Sequence, residues 1–153
     1  MAYTGSKAQV GIGTIFEIGT VGASPTYTVI DEATDISQSG GQNPTDDTTN
    51  LQSSALEFIP TLQNPGMFNF TMNRIAGNTA AGQLAILAAF NTQTINPYRV
   101  TLPKGNGQAT AGDRYTFIAL VESCNLSNIG PTKKMSYSVT IKVSGQLTNT
   151  VGS

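Results

Sequence analysis

The chain has 153 residues, which suits one domain with a substantial core, and only 11% of them are Asp, Glu, Lys or Arg. Because soluble proteins typically carry about 25% charged residues, this surface is polar but weakly charged, and it can be buried against partners at little cost in ion desolvation. A formal net charge of −1, with eight Lys and Arg in all, argues against a protein that grips nucleic acid through its phosphates.

The first half of the chain carries the alternation of apolar and polar residues that is typical of β-strands. Strands are predicted over residues 10–18, 27–30, 33–37 and 67–74. In the last of these, Phe68, Phe70 and Met72 fall on one face, and polar residues fall on the other. Such a pattern indicates a strand with one buried side and one side in water.

One stretch breaks the alternation and predicts a helix over about residues 79–90. It is rich in Ala, and Asn78 is a residue type that can cap the first turn. The large apolar residues of this stretch are Leu84, Ile86, Leu87 and Phe90. Because they spread beyond one narrow stripe, the helix is expected to lie over a sheet edge or the mouth of a barrel.

The second half of the chain returns to strands. They are predicted over residues 98–102, 115–121 and 135–147. The middle one is apolar on both faces, which predicts a central position in its sheet. Together the elements predict a single domain over residues 1–153, all-β with one helix. We expect a β-sandwich or partial barrel of two packed antiparallel sheets with one flanking α-helix.

A long polar stretch over about residues 39–54 shows neither a strand nor a helix pattern. Loops longer than ~12–15 residues are uncommon unless they have a function, so this stretch is the best candidate for a functional surface. Regular structure there is discouraged by Gly40, Gly41, Asn43 and Pro44. The far end of the stretch could be anchored by Leu51, Leu56 and Phe58.

The residue types needed for catalysis are scarce. There is no histidine, the commonest general base and metal ligand, and the one cysteine, Cys124, allows neither an intrachain disulfide nor a cysteine metal cluster. The carboxylates of Asp31, Glu32 and Asp35, or those of Asp46 and Asp47, could in principle bind calcium. Their spacing does not match an EF-hand loop, and solvated loop carboxylates are the better interpretation. We therefore predict no enzyme activity, no catalytic residue, no cofactor and no metal.

No stretch approaches the ~20 apolar residues of a membrane helix, and the first residues lack the apolar run of a signal peptide. The protein is thus expected to have no membrane partner and to be made and kept in the cytoplasm.

Residues 46–74 resemble a segment of the major tail tube proteins of siphophages, the lambda-like tail tube family. In that family a D-x-T-x-L-like stretch precedes an E-[FY]-x-P-G-L-x-[DN]-x-G turn and an alternating strand. The corresponding residues here are Asp47, Thr49, Leu51, Glu57, Phe58, Pro60, Leu62, Asn64 and Gly66. Thr61 stands where the family has a glycine after the proline. The strands and the helix follow in the order expected of the family, so the resemblance covers most of the chain.

The resemblance implies the tail-tube fold and a structural protein of the virion tail, assembled in the host cytoplasm. In that family the subunits form six-membered rings that stack helically into a hollow tube, and DNA passes through the lumen without specific binding. The partners implied are further copies of the chain and the tape measure, tail tip and tail terminator proteins. We expect the loop to order against a neighbouring ring. Candidate contact residues are Gln42, Asn43, Pro44, Asp46, Asp47, Thr49, Leu51 and Phe58.

Two alternatives stay open at this point. The chain could be a β-sandwich binding or decoration module of a phage particle. It could also be the tube protein of a contractile tail or a secretion system, whose subunits share the fold. The polar face of the last strand, residues 136–146, could line the lumen or face outward, and periodicity does not decide between the two.

Overall fold

The structure, a computed structural model, describes residue 9 and residues 11–78, 80–105 and 107–153. Val10, at the start of the first predicted strand, and Thr79, at the start of the predicted helix, lie outside the described residues. The described part contains nine strands and one α-helix, α1 (Ala81–Thr92). The strands are β1 (Ile15–Gly19), β2 (Tyr27–Val29), β3 (Ala33–Ser39), β4 (Thr45–Asp47), β5 (Phe58–Pro60), β6 (Met67–Asn73), β7 (Ile95–Thr101), β8 (Arg114–Ser127) and β9 (Ser136–Thr150).

Seven of these strands form one antiparallel sheet in the order β2-β1-β7-β8-β9-β6-β3, and β4 and β5 form a second, two-stranded sheet. The predicted class, all-β with two antiparallel sheets and one flanking helix, is confirmed. The central position predicted for residues 115–121 is also confirmed, because β8 lies in the middle of the large sheet. The first strand is shorter than predicted, and Ile12 precedes it with 82% of its surface exposed.

The large sheet is curled into a partial barrel. Its outermost strands, β2 and β3, are consecutive in the chain, and only residues 30–32 separate them. The end of β2 and the start of β3 are therefore at most about 14 Å apart. The ring of Phe16 in β1 meets that of Phe70 in β6 at a centroid distance of 4.9 Å. In a flat sheet these two strands would be roughly 19 Å apart, so the sheet must wrap around its own core.

The core fills the inside of this curl. A row of aromatic rings crosses it from β1 to β6, with centroid distances of 6.0 Å from Phe16 to Tyr98, 5.8 Å from Tyr98 to Phe117 and 4.6 Å from Phe117 to Phe68. The predicted alternation in β6 is confirmed, since Phe68, Phe70 and Met72 are all buried. Aromatic rings bury large apolar areas and gain further from stacking, so this row holds the two halves of the curl together.

The helix α1 packs against β8, β1 and β2, and its first turn reaches the β2–β3 turn that joins the two edges of the sheet. The first turn packs so tightly that a Cβ on Gly82 would lie 2.0 Å from the carbonyl oxygen of Val29. Beside it, the buried side chain of Gln83 donates to the carbonyl oxygens of Asp31 and Asn73, at 3.1 and 2.6 Å, and accepts from the backbone N–H of Ile75 at 3.2 Å. One glutamine thus joins the helix, the β2–β3 turn and the end of β6.

The helix starts later than predicted, and the proposed cap is wrong. Its N-cap is Ala80, which makes no side-chain cap hydrogen bond, and Asn78 belongs to a 3-10 turn, Ala76–Asn78, in which Gly77 has φ 79°. The positive φ of Gly77 lies within this turn, in a conformation that glycine adopts at little steric cost. No described helix has the length and apolar character needed to span a membrane.

Candidate assembly surfaces

The stretch predicted as a structureless loop over residues 39–54 is instead part of a β-hairpin that runs from residue 40 to residue 66. Ser39 still belongs to β3, and β4 pairs with β5 from Thr45↔Pro60 to Asp47↔Phe58. Closer to the base, Gln42 and Asn64 exchange backbone hydrogen bonds of 2.8 and 2.9 Å. The hairpin therefore extends the β3 and β6 ends of the large sheet outward.

The base of the hairpin depends on Gly66. Its φ is 83°, and a Cβ there would lie 2.1 Å from the carbonyl oxygen of Ser39. Only glycine adopts such a backbone conformation at no steric cost and lets two chains approach so closely. Gly40, on the facing side, also has a positive φ of 75°. These two glycines set the direction in which the hairpin leaves the sheet.

The tip of the hairpin is held by short-range hydrogen bonds. The Asp47 carboxylate accepts from the backbone N–H of Thr49 at 2.8 Å, and hydrogen bonding to the Thr49 side chain and then to its backbone lowers the pKa of Asp47. The Thr49 hydroxyl accepts from the N–H of Glu57 at 2.9 Å, across the two arms. Asn50 accepts from the N–H of Gln52 at 2.9 Å. Such bonds replace backbone pairing where the strands end.

All eight predicted contact residues lie on this hairpin, and all are exposed. They are Gln42, Asn43, Pro44, Asp46, Asp47, Thr49, Leu51 and Phe58. The structure therefore brings them together on one protruding element. Their role in contacts between copies stays a prediction.

The hairpin also presents apolar side chains to solvent. The relative exposures are 106% for Leu51, 72% for Leu56, 54% for Phe58, 50% for Ile59 and 92% for Leu62. The expectation that the far end is anchored by Leu51, Leu56 and Phe58 is wrong, because all three side chains are exposed and none belongs to the core. A two-stranded ribbon has only one layer and cannot bury its own apolar side chains. Clustered exposed apolar residues mark contact sites.

A second surface is the convex face of the four adjacent strands β8, β9, β6 and β3. Thr71, Ser138 and Thr140 point outward here, opposite the buried Phe70, Val139 and Ile141. Cross-strand hydrogen bonds link this face, since Asn69 accepts from the Thr140 hydroxyl at 2.9 Å and donates to the Ser39 hydroxyl at 3.0 Å. Lys142 is the one charged residue in β6 and β9 together.

The outermost strands supply a third surface. Among the described residues β3 pairs only with β6, and β2 pairs only with β1, so each has one edge of unpaired backbone groups. Asp35, with φ 48°, lies where the β3–β6 register shifts between Thr34 and Ser37. Bulges of this kind limit unwanted edge pairing. An edge left open is also where another chain can add a strand.

The charged and nucleophilic groups in the described part of the chain do not form a site for chemistry. Within it no group of three His, Cys, Asp or Glu converges as a metal site would require, including Asp31, Glu32 and Asp35. Cys124 is half-buried, and burial raises the pKa of its thiol, which disfavours the nucleophilic thiolate.

Glu17 and Arg99 form an ion pair across β1 and β7, and the hydrogen bond to Glu17 raises the pKa of Arg99. The Arg99 guanidinium also lies 4.0 Å from the centre of the Tyr27 ring. This pair therefore ties three neighbouring strands together, and it has the character of a structural contact.

The curled sheet, the covering helix and the protruding hairpin together form a fold that the chain shares with tail and tube structures. No protein-family model matches the chain, and no curated protein matches it in sequence. Solved structures do match. A chain from the tail of an empty gene transfer agent particle, refined with C6 symmetry, has a TM-score of 0.70 and 16% identity, with 94% of this chain and 100% of that chain covered.

Two further structures share the fold. The tail tube of SPP1 has a TM-score of 0.70 and 16% identity, over 92% of this chain and 77% of that one. A chain of the sheath–tube complex of PVC, an extracellular contractile injection system, has a TM-score of 0.64 and 10% identity, over 97% and 99%. Because the sequence identities are only 10–16%, these similarities show a shared fold and nothing more.

Proposed function

We propose that this chain is the structural subunit of a phage-like tail tube and has no enzymatic role. The observation that carries the proposal is the hairpin, which exposes five large apolar side chains that a single copy does not cover. The fold shared with tail and tube assemblies supports it. The resemblance of residues 46–74 favours a non-contractile, siphophage-like tail over a contractile one.

The subunits are proposed to join laterally into rings of six through the open edges of the large sheet. Pairing edge to edge satisfies backbone groups that are otherwise left to solvent, and such a head-to-tail contact ends when the rotation closes. The C6 symmetry of the gene transfer agent tail supports the number six. Four strands from each of six copies, at ~4.8 Å spacing, give a circumference of roughly 115 Å and a diameter near 37 Å.

We propose that the convex face of β8, β9, β6 and β3 lines the lumen. Its hydroxyl and amide groups hydrogen-bond to water, and it offers phosphate few positive charges besides Lys142. Retention of DNA requires many phosphate contacts with Lys or Arg. A duplex would therefore slide through such a channel without specific binding.

The tube would lie in the virion tail after assembly in the host cytoplasm. Its partners would be further copies of this chain together with a tape measure protein, a tail tip complex and a tail terminator protein. The caps and baseplates among structures of the same fold support contacts of this kind.

The test is negative-stain electron microscopy of the purified protein over a range of concentrations, with sedimentation velocity alongside. Hollow tubes or six-fold rings are expected, and tail tip complexes from a related phage should nucleate them if the protein alone does not. A monomer at every concentration, with tips present as well, would overturn the proposal and favour a β-sandwich binding module.

A further inference from the structure

The two ends of strand β6 lead to two differently charged parts of the surface. The hairpin enters β6 at Met67, and the strand ends at Asn73, which pairs with Ser136 at the start of β9. The turn between β8 and β9, residues 128–135, lies at this second end, because the N–H of Arg74 donates to the Met135 carbonyl at 2.9 Å. The hairpin and this turn are thus separated by the length of β6, about 20 Å.

The hairpin is acidic. Residues 40–66 include Asp46, Asp47 and Glu57 and no Lys or Arg. All three carboxylates are exposed, and none forms an ion pair with another described residue. Hydrogen bonds to Thr49 lower the pKa of Asp47, which favours its charged form.

The opposite end is basic. Lys133 and Lys134 lie in the β8–β9 turn, Arg74 lies beside it, and residues 128–135 contain no Asp or Glu. All three cations are exposed, and within the described residues none is in an ion pair. Ile129 and Met135 add apolar surface between them, with exposures of 71% and 41%.

We propose that the acidic hairpin of one copy docks on the basic end, Arg74 with Lys133 and Lys134, of a second copy in the next ring. Opposite charges with exposed apolar side chains at both surfaces are the composition of a complementary interface. Because the two surfaces lie at opposite ends of one molecule, the contact is head-to-tail and repeats along an axis. This inference rests on the proposed tube function and names the surface that receives the hairpin.

The neighbouring charges also set the register of docking. Asp31 and Glu32, in the turn between β2 and β3, lie at the same end of β6 as the basic residues but on its β3 side, where Glu32 accepts from the Asn73 side chain at 3.0 Å. An acidic hairpin is repelled there and attracted over the β8–β9 turn. Like-charge contacts of this kind exclude incorrect partners and positions.

The test is a charge swap in the full chain. Asp46→Lys with Asp47→Lys, and separately Lys133→Glu with Lys134→Glu, should each raise the critical concentration for tube formation by about tenfold or more. The quadruple variant, which restores opposite charges, should return it to within roughly a factor of three. Lys104→Glu with Arg114→Glu is the matched control, since it makes the same change of net charge at the other end of β8.

Tube formation is followed by sedimentation and electron microscopy, and thermal melting of the monomer shows that each variant folds. Tubes formed equally well by wild type and both double variants would overturn the docking and leave the tube function intact. A folded quadruple variant that assembles no better than the doubles would overturn it too. Absence of wild-type tubes, even with tail tips, would instead remove the tube function on which the docking depends.

Discussion

The curled sheet and the hairpin are both antiparallel β-structure, yet they are held together by different means. In the sheet, Tyr98 and Phe117 lie in a continuous row of buried rings inside the curl. In the hairpin, β4 and β5 have no buried residue at all, and hydrogen bonds such as those of Gln42 with Asn64 hold the arms. The sheet therefore provides most of the stability of the monomer, whereas the hairpin leaves a surface exposed for contact with another chain.

The largest effect expected from this difference comes from removing the hairpin. Deletion of residues 42–64 should abolish tubes and leave the melting temperature of the monomer within a few degrees of wild type, because no buried contact is lost. The ends can be rejoined, since a Cβ on Gly41 would lie 3.7 Å from the carbonyl oxygen of Pro65. The measurements are electron microscopy and differential scanning calorimetry. Normal tubes from the shortened chain would show that the hairpin is not needed for assembly. A monomer that no longer folds would show that the hairpin is needed for stability.

The second prediction tests the sheet. Phe117→Ala removes a ring with 3% exposure that stacks on both Phe68 and Tyr98. It should lower the free energy of unfolding by about 3–5 kcal/mol, as large-to-small core substitutions do. Leu62→Ala, at the 92%-exposed position on the hairpin, is the control and should change it by at most about 0.5 kcal/mol. Urea denaturation of the monomer measures both. Equal losses would mean that the hairpin packs on the monomer after all.

The same difference explains how far the sequence predicted the fold. In β6 and β9 one face is buried, so alternation is required, and the face of Phe70 was predicted correctly. The short strands β4 and β5 bury neither face, so their residues show no alternation. A hairpin was therefore predicted as a loop. Hydrogen bonding between backbones does not by itself select particular side chains, so it cannot be recognised in the sequence.

The order of the strands in the sheet also could not be predicted from the sequence. The short turn after β2 suggests that β3 is its neighbour, but β2 pairs with β1 and β3 with β6, at opposite edges of a curled sheet. The candidate contact residues did fall on one exposed element. The surface proposed to receive the hairpin was missed because the contact joins two copies, so nothing in the sequence of one copy pairs Asp46 with Lys133. The only local signal was a pair of lysines shortly after a glycine and a proline.

The smallest effect predicted here tests how the sheet is closed. Gly82→Ala places a Cβ 2.0 Å from the Val29 carbonyl oxygen, so the helix must shift away from β2. The intrinsic gain in helix propensity is about 1 kcal/mol, but forcing atoms into a packed interface costs about 1–3 kcal/mol.

We therefore expect a net loss of up to about 2 kcal/mol in the free energy of unfolding, measured by urea denaturation. The matched control is Gly130→Ala, because a Cβ there meets nothing within 4 Å and the backbone has no positive φ. A stabilised Gly82→Ala monomer would mean that the helix does not press on the sheet edge. The gap between β2 and β3 would then be closed by the hydrogen bonds of Gln83, without close packing of the helix backbone.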